Sequence, residues 1–286
     1  MKKNEALSRL QSVELEMLRV FRDWCAEKEI TWFIDSGTVI GAIRHQGFIP
    51  WDDDIDVGLP REDYNRLLLE SAIDFPEGYS IHTSDDYGYT SLFAKMYKDG
   101  TAFDTDSSLQ SGCKQAIYID LFPYDYLPVS KKERRRQGVT CANCQRLMYL
   151  YYLSDIAVPH RGVLGVAERV ACKLGHCIVG ALIDPHLIQA KFDAAVDFGG
   201  QVGTTMMSLP WYGYVPEYEE DTLIPTVSVQ FEGLKVPAPH NPVKYLEQLY
   251  GDWETMPPVE ERHTHMPRRL VFDNGDEWRD EDSCKQ

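Results

Sequence analysis

Residues 52–57 read Asp-Asp-Asp-Ile-Asp-Val, four carboxylates in five positions, and the apolar residues Ile55, Val57 and Leu59 alternate through the segment that follows. Like charges this close repel, and Asp is a poor strand former. An extended strand accommodates the pattern, because successive side chains point to opposite faces. Ile55 and Val57 then enter a core, while Asp54 and Asp56 share the other face with Cα atoms about 6.5–7 Å apart. Two carboxylates so placed can converge on one or two hard cations. Mg²⁺ suits them, being commonly bound by one or two carboxylates plus substrate phosphates. Asp52 joins the same face if the strand reaches that far, and Asp53 points away. The competing reading is a solvated acidic turn, which the alternation at Ile55 and Val57 disfavours.

The surrounding pattern predicts an α/β or α+β chain. Leu7, Leu10, Met17, Phe21 and Trp24 recur at helical spacing over 5–29. "ITWFIDSG" reads as a strand ended by Gly37, and "TVIGAIRHQG" as a short helix closed by Gly47. "DDIDVGLP" reads as a second strand ended by Gly58 and Pro60, and "PREDYNRLLLESAI" as a helix. "YSIHTS", "TSLFAKMYK" and "QAIYIDLFPYDY" follow as strands. Residues 130–200 are helical in pattern and read as an insertion onto a core at 1–129. Residues 201–286, rich in Pro, Trp and Tyr, read as an irregular cap with short strands and helices.

Two further elements bear on chemistry. At Gly37-Thr38 a strand gives way to a helix, and backbone N–H groups at such a turn can hold a phosphate. Arg44 and His45 lie just beyond and could face a polyanion, or form a surface ion pair. In "IYIDLF", Asp120 is a lone acid in an apolar strand. An unpaired buried carboxylate is costly. A metal shared with Asp54 and Asp56 relieves that cost, as would hydrogen bonds from the backbone.

The formal charge of −16 argues against general binding to a nucleic-acid backbone, but not against a nucleotide bound with a divalent metal. No apolar run reaches the length of a membrane span, and the first residues carry no signal-peptide core. Seven cysteines without regular spacing read as mostly buried thiols in a reducing cytoplasm. Cys141-x-x-Cys144 with Cys172, His176 and Cys177 could bind zinc, but the spacing favours core thiols. The run "KKERRR" at 131–136 reads as a solvated helix face, with contact to anionic lipid as the alternative.

"GTVIGAIRHQGFIPWDDDIDVGLPREDYNRLL" resembles the signature of the LicD family of phosphocholine transferases, to which the fukutin-related proteins also belong. The similarity continues in "FAKMYKDGT", "IYIDLFPYDYLP", "FEGLKVPAPHNPVKYLEQLYGDW" and "PPVEERHTH". The resemblance implies an α+β fold of the nucleotidyltransferase type, a mixed sheet flanked by helices. It implies metal-dependent transfer of a phosphoalkyl group from a CDP-linked donor such as CDP-choline to a glycan hydroxyl. The acceptor would be a cell-surface glycan or its precursor, of the lipopolysaccharide or teichoic acid kind, free or lipid-linked. Asp54 and Asp56 match the family's metal pair, for Mg²⁺ or Mn²⁺, and Asp120 the third acid, as ligand or general base. Gly37 and Thr38 match the phosphate-holding turn. Lys95 matches a position that can pair with the diphosphate, and Arg262, His263 and His265 are further donors to it or caps of the C-terminal segment. Trp51, Tyr118, Phe122, Tyr124, Trp211, Tyr212, Tyr214 and Trp253 form a pool of aromatic faces for a quaternary ammonium. The expected setting is cytoplasmic, at the inner face of a membrane if the acceptor is lipid-linked. Transfer of NMP from an NTP, or a non-catalytic glycan-binding role, are the alternatives.

Overall fold

The computed structural model describes residues 1–156, 158, 160–197, 202–208, 216–262 and 264–280. Helix α1 (Lys3–Glu27) buries Leu7, Leu10, Met17, Leu18 and Phe21 along one stripe. The strand expected over "ITWFIDSG" shrinks to β1 (Phe33–Ile34), because Asp35 accepts the Ser36 N–H and starts α2 (Ser36–Ile40). The helix continues as a π turn over Gly41–His45 and closes at Gln46, whose φ is +58°. Gly37 therefore lies inside a helix rather than at a strand end, and Gln46 rather than Gly47 terminates it.

Strand β2 (Asp56–Pro60) runs directly into α3 (Arg61–Ser71). Ile55, Val57 and Leu59 are fully buried, while Asp54 and Asp56 are half-buried. Gly58 sits in the middle of β2 instead of ending it. A Cβ there would stand 2.4 Å from the Phe33 ring and 2.8 Å from that of Tyr124, so the two packed rings exclude any larger residue.

Next come β3 (Tyr79–His82), β4 (Ala94–Lys98), β5 (Ala102–Asp104), α4 (Asp106–Ser111) and the long β6 (Ile117–Pro128). The main sheet has the order β1-β2-β6-β4-β3, with β2 and β6 parallel and the other neighbours antiparallel. Its apolar face carries Val57, Met96, Ile117, Ile119 and Leu121, all fully buried. Helices α5 (Lys131–Tyr152), α6 (Gly162–Leu182) and α7 (Pro185–Val196) form the helical block. Cys141 and Cys144 pack with Met148, Ile188 and Phe192, so the C-x-x-C serves a core. His176 bonds the Leu150 carbonyl through Nδ1.

Strand β7 (Val202–Ser208) returns to pair with the far half of β6 and with β8 (Tyr218–Glu219). After the short α8 (Glu220–Leu223), β9 (Val227–Phe231) and β10 (Leu234–Ala238) form a hairpin, and α9 (Pro242–Tyr250) follows. A 3₁₀ turn at Val259–Glu261 leads to β11 (Arg269–Val271) and β12 (Glu277–Arg279), which extend β5 into a three-stranded sheet. Among the described residues no helix is long and apolar enough to cross a membrane.

Candidate active site

Strand register builds the site. Asp56 on β2 lies directly opposite Asp120 on β6, and Asp120 lies directly opposite Lys95 on β4. With neighbouring strands about 4.8 Å apart, the three residues form one row across the sheet. The Asp120 carboxylate is ion-paired with the Lys95 ammonium, which stands 3.5 Å from the centre of the Tyr118 ring. Asp54 precedes β2 by two residues. Backbone contacts fix this edge: the Asp56 N–H donates to Thr38 Oγ1 at 2.9 Å, and the Asp120 N–H to the Ile55 carbonyl at 3.0 Å.

The electrostatics are those of crowded, buried carboxylates. Burial raises the Asp56 pKa well above the usual range, and the charges of Asp54 and Asp120 add to it. Burial, then Asp54, pushes Asp52 up to about 8. Burial raises Asp53 to about 6 against the opposing pull of the His265 N–H. Asp120 is raised by burial, with Lys95 acting in the opposite direction. Such a group gains from a cation. Hard carboxylate oxygens suit Mg²⁺ or Mn²⁺. Among the described residues no three His, Cys, Asp or Glu side chains are drawn together as a finished cage, and Asp120 is engaged by Lys95 instead. The donor set thus fits an open kind of site, in which substrate phosphate oxygens complete the ligands.

Comparison with known proteins bears on this arrangement. The family model described as LicD/FKTN/FKRP, nucleotidyltransferase domain, matches residues 29–142, the stretch that holds the whole row. The lipopolysaccharide cholinephosphotransferase LicD of Haemophilus influenzae is 28% identical over 275 residues, covering 92% of this chain and 97% of that protein. Residues 29–142 form a LicD-family domain. The domain's description and that relative's name are both those of transferases, which supports a transferase here. Uncharacterised proteins of Rickettsia prowazekii and Rickettsia typhi are 42% identical over 52 and 48 residues, 18% and 17% of this chain and 20% and 16% of theirs.

Around this row, the other candidate residues fall into place unevenly. Gly37 is pressed toward Asp52, since a Cβ there would be 3.1 Å from Oδ2. Thr38 is buried and its hydroxyl is engaged in positioning Asp56. Arg44 donates to the Trp253 carbonyl at 2.7 Å and to His45 Nε2 at 3.0 Å. Burial lowers the pKa of both Arg44 and His45, and each has a neighbouring guanidinium that adds to it. Arg262 stacks 4.5 Å over the Trp51 ring and donates to the Pro257 carbonyl, and the His265 N–H donates to Asp53 Oδ1 at 2.6 Å. The "EERHTH" segment thereby folds onto the acid loop. Trp211, Tyr212, Tyr214 and His263 lie outside the described residues.

Two buried acids escape a motif-based reading. Glu14 lies in the buried stripe of α1, one turn on from Gln11, whose amide donates to the Asp52 carbonyl at 2.8 Å. One Glu14 oxygen has no hydrogen-bond partner, and burial followed by the Asp54 charge holds its pKa well above the carboxylate range. Its signal in the sequence is a Glu four residues after Leu10 and three before Met17, on the apolar face. Asp35 accepts from Tyr124, Tyr245 and the Ser36 N–H, and its own N–H donates to the Asp56 carbonyl. It ties α9 to the strand that carries the acids.

A cavity of about 160 Å³ meets the row at Lys95, and Tyr89, Tyr97, Tyr118 and Tyr149 line it with Ser and Thr hydroxyls. Another of about 530 Å³ lies between α1, Trp51 and Arg262. A further cavity, of about 790 Å³, surrounds the Arg61–Asp125 ion pair, and no acid of the row lines it.

Proposed function

We propose that the chain transfers phosphocholine from CDP-choline to a hydroxyl of a cell-surface glycan or its precursor and releases CMP. The observation that carries this reading is the Asp56–Asp120–Lys95 row, with Asp54 beside it, in a LicD-family domain. Asp54 and Asp56 are the residues that would hold Mg²⁺, with Asp120 at the margin of the site. When bound, the ion supplies positive charge to the phosphate oxygens.

The acceptor hydroxyl attacks the phosphorus that bears choline, and the bond from that phosphorus to the CMP oxygen breaks. Asp120 takes the hydroxyl proton, and its pairing with Lys95 fixes the carboxylate in orientation. Lys95 also presents a cation to the diphosphate, in a setting where little water competes. Arg44 and Arg262 add positive charge on the Trp51 side. The tyrosines of the small cavity offer aromatic faces for the trimethylammonium group.

The test is incubation with CDP-choline, Mg²⁺ and a glycan acceptor, with CMP measured by chromatography. CMP release that falls about 100- to 1,000-fold in Asp56→Asn is expected. Release that survives Asp54→Ala combined with Asp56→Ala refutes the assigned site. Turnover of an NTP with pyrophosphate release, and none of CDP-choline, points to NMP transfer instead.

A further inference from the structure

Helix α6 is turned the wrong way for a helix that meets only water. At 100° per residue, Val163, Val166, Val170, Leu174, Ile178 and Leu182 fall on one broad face, and each is more than half exposed. The opposite side, which meets the rest of the helical block, is built from smaller groups. Gly165 approaches the His160 carbonyl, Gly175 lies against Leu150, and Val179 is buried. An ordinary surface helix buries its large apolar side chains and exposes polar ones. Among the described residues nothing covers the outward face, and an apolar patch of this extent marks an interaction surface.

Charge indicates what covers it. The chain carries −16 overall, yet residues 131–193 hold ten Lys and Arg against five Asp and Glu. Arg169 and Lys173, both exposed, line one edge of the apolar face one turn apart, and Arg161 stands at the helix start. Long basic side chains at such an edge keep their charge in the headgroup layer while their stems lie along apolar surface. A broad apolar face edged with basic residues matches a helix lying in the plane of a bilayer surface. A second copy of the chain would bring basic block against basic block, which like charge disfavours.

We propose that α6 is a membrane-surface helix that seats its Val163–Leu182 face in the headgroup layer of an anionic bilayer, with Arg161, Arg169 and Lys173 on the lipid phosphates. This docking is separate from the choice of donor and acceptor, so it stands or falls apart from the proposed chemistry. It gives a strongly acidic protein one basic, apolar side on which to approach a negatively charged membrane.

The test is vesicle flotation of the full chain. Vesicles of phosphatidylglycerol with phosphatidylethanolamine are compared with phosphatidylcholine alone, at low and at 0.5 M salt. The wild type is expected to float with the anionic vesicles at low salt and to release as salt rises, because screening weakens the basic contacts. Val170→Glu with Leu174→Glu is expected to lower the bound fraction at least tenfold. Arg169→Glu with Lys173→Glu is expected to lower it on anionic vesicles. Circular dichroism checks that the variants stay folded, and Val170→Ser with Leu174→Ser replaces any that do not. Failure of the wild type to float overturns the proposal, and so does equal flotation of the face variants. Light scattering that shows a dimer dissolved by the same substitutions, without vesicle binding, assigns the face to a second copy and also overturns it.

Discussion

Replacing Lys95 with Met removes the ammonium that Asp120 is paired with and leaves a similar apolar volume. The side chains of Lys95 and Asp120 are 10% and 14% exposed, so solvent replaces little of the lost pairing. Breaking a buried pair from one side costs about 3–5 kcal/mol. The small remaining exposure, and the water it admits, place this site near about 3 kcal/mol. In a chain of this size that lowers Tm by roughly 6–12 °C. The sign with pH follows from the carboxylate. Lys95 is what holds the Asp120 pKa down against burial, so its removal lifts the folded-state value further above 3.8. An acid raised on folding costs stability above its unfolded pKa, so the deficit grows as pH rises past 3.8 and fades as pH falls back to that value. Urea unfolding in a chelator, at pH 4.5 and 7.5, measures both. Adding Asp120→Asn should recover most of the loss, since the partner left behind is then neutral. A Lys95→Met protein within about 0.5 kcal/mol of wild type at pH 7.5, an effect no larger than an ordinary surface substitution, refutes the argument. So does a double variant no more stable than the single one.

Glu14→Gln should stabilise the metal-free protein near pH 7. Burial raises the Glu14 pKa, so wild-type stability falls as pH climbs above the unfolded value of 4.5. The gain in urea midpoint should shrink as pH falls and disappear below 4.5. Tyr245→Phe should cost about 1–1.5 kcal/mol, because Asp35 keeps the Tyr124 hydroxyl and the Ser36 N–H. Thermal unfolding of that variant together with Tyr124→Phe should show a joint loss exceeding the sum. Gly58→Ala should cost about 2 kcal/mol or more by forcing the Phe33 and Tyr124 rings apart, as read by denaturant midpoint.

Ile55 and Val57 were readable because a period of two needs no partner strand to be recognised. Asp120 was readable for the same reason, as one acid within an apolar run. The pairing of Lys95 with Asp120 was not, since it depends on the register of two strands joined through β5 and α4. Glu14 sat in plain view on a helical stripe, yet charged residues on helices usually face solvent, so the pattern alone gave no reason to bury it. Gly58 shows the reverse error. As a local signal it reads as a strand breaker, but ring packing from Phe33 and Tyr124 decides its place. The start of α2 was displaced because Asp35, bonded by tyrosines distant in sequence, ended β1 early.

The contacts that brace the acid strand come from far along the chain. Tyr245 reaches Asp35 across 210 residues, and the His265 N–H reaches Asp53 across 212. During synthesis the acid loop is translated long before either partner leaves the ribosome. The four crowded aspartates therefore spend most of translation without these braces, and the site closes last. A fragment limited to residues 29–142 would inherit the same condition permanently, with the row encoded and two of its clasps missing.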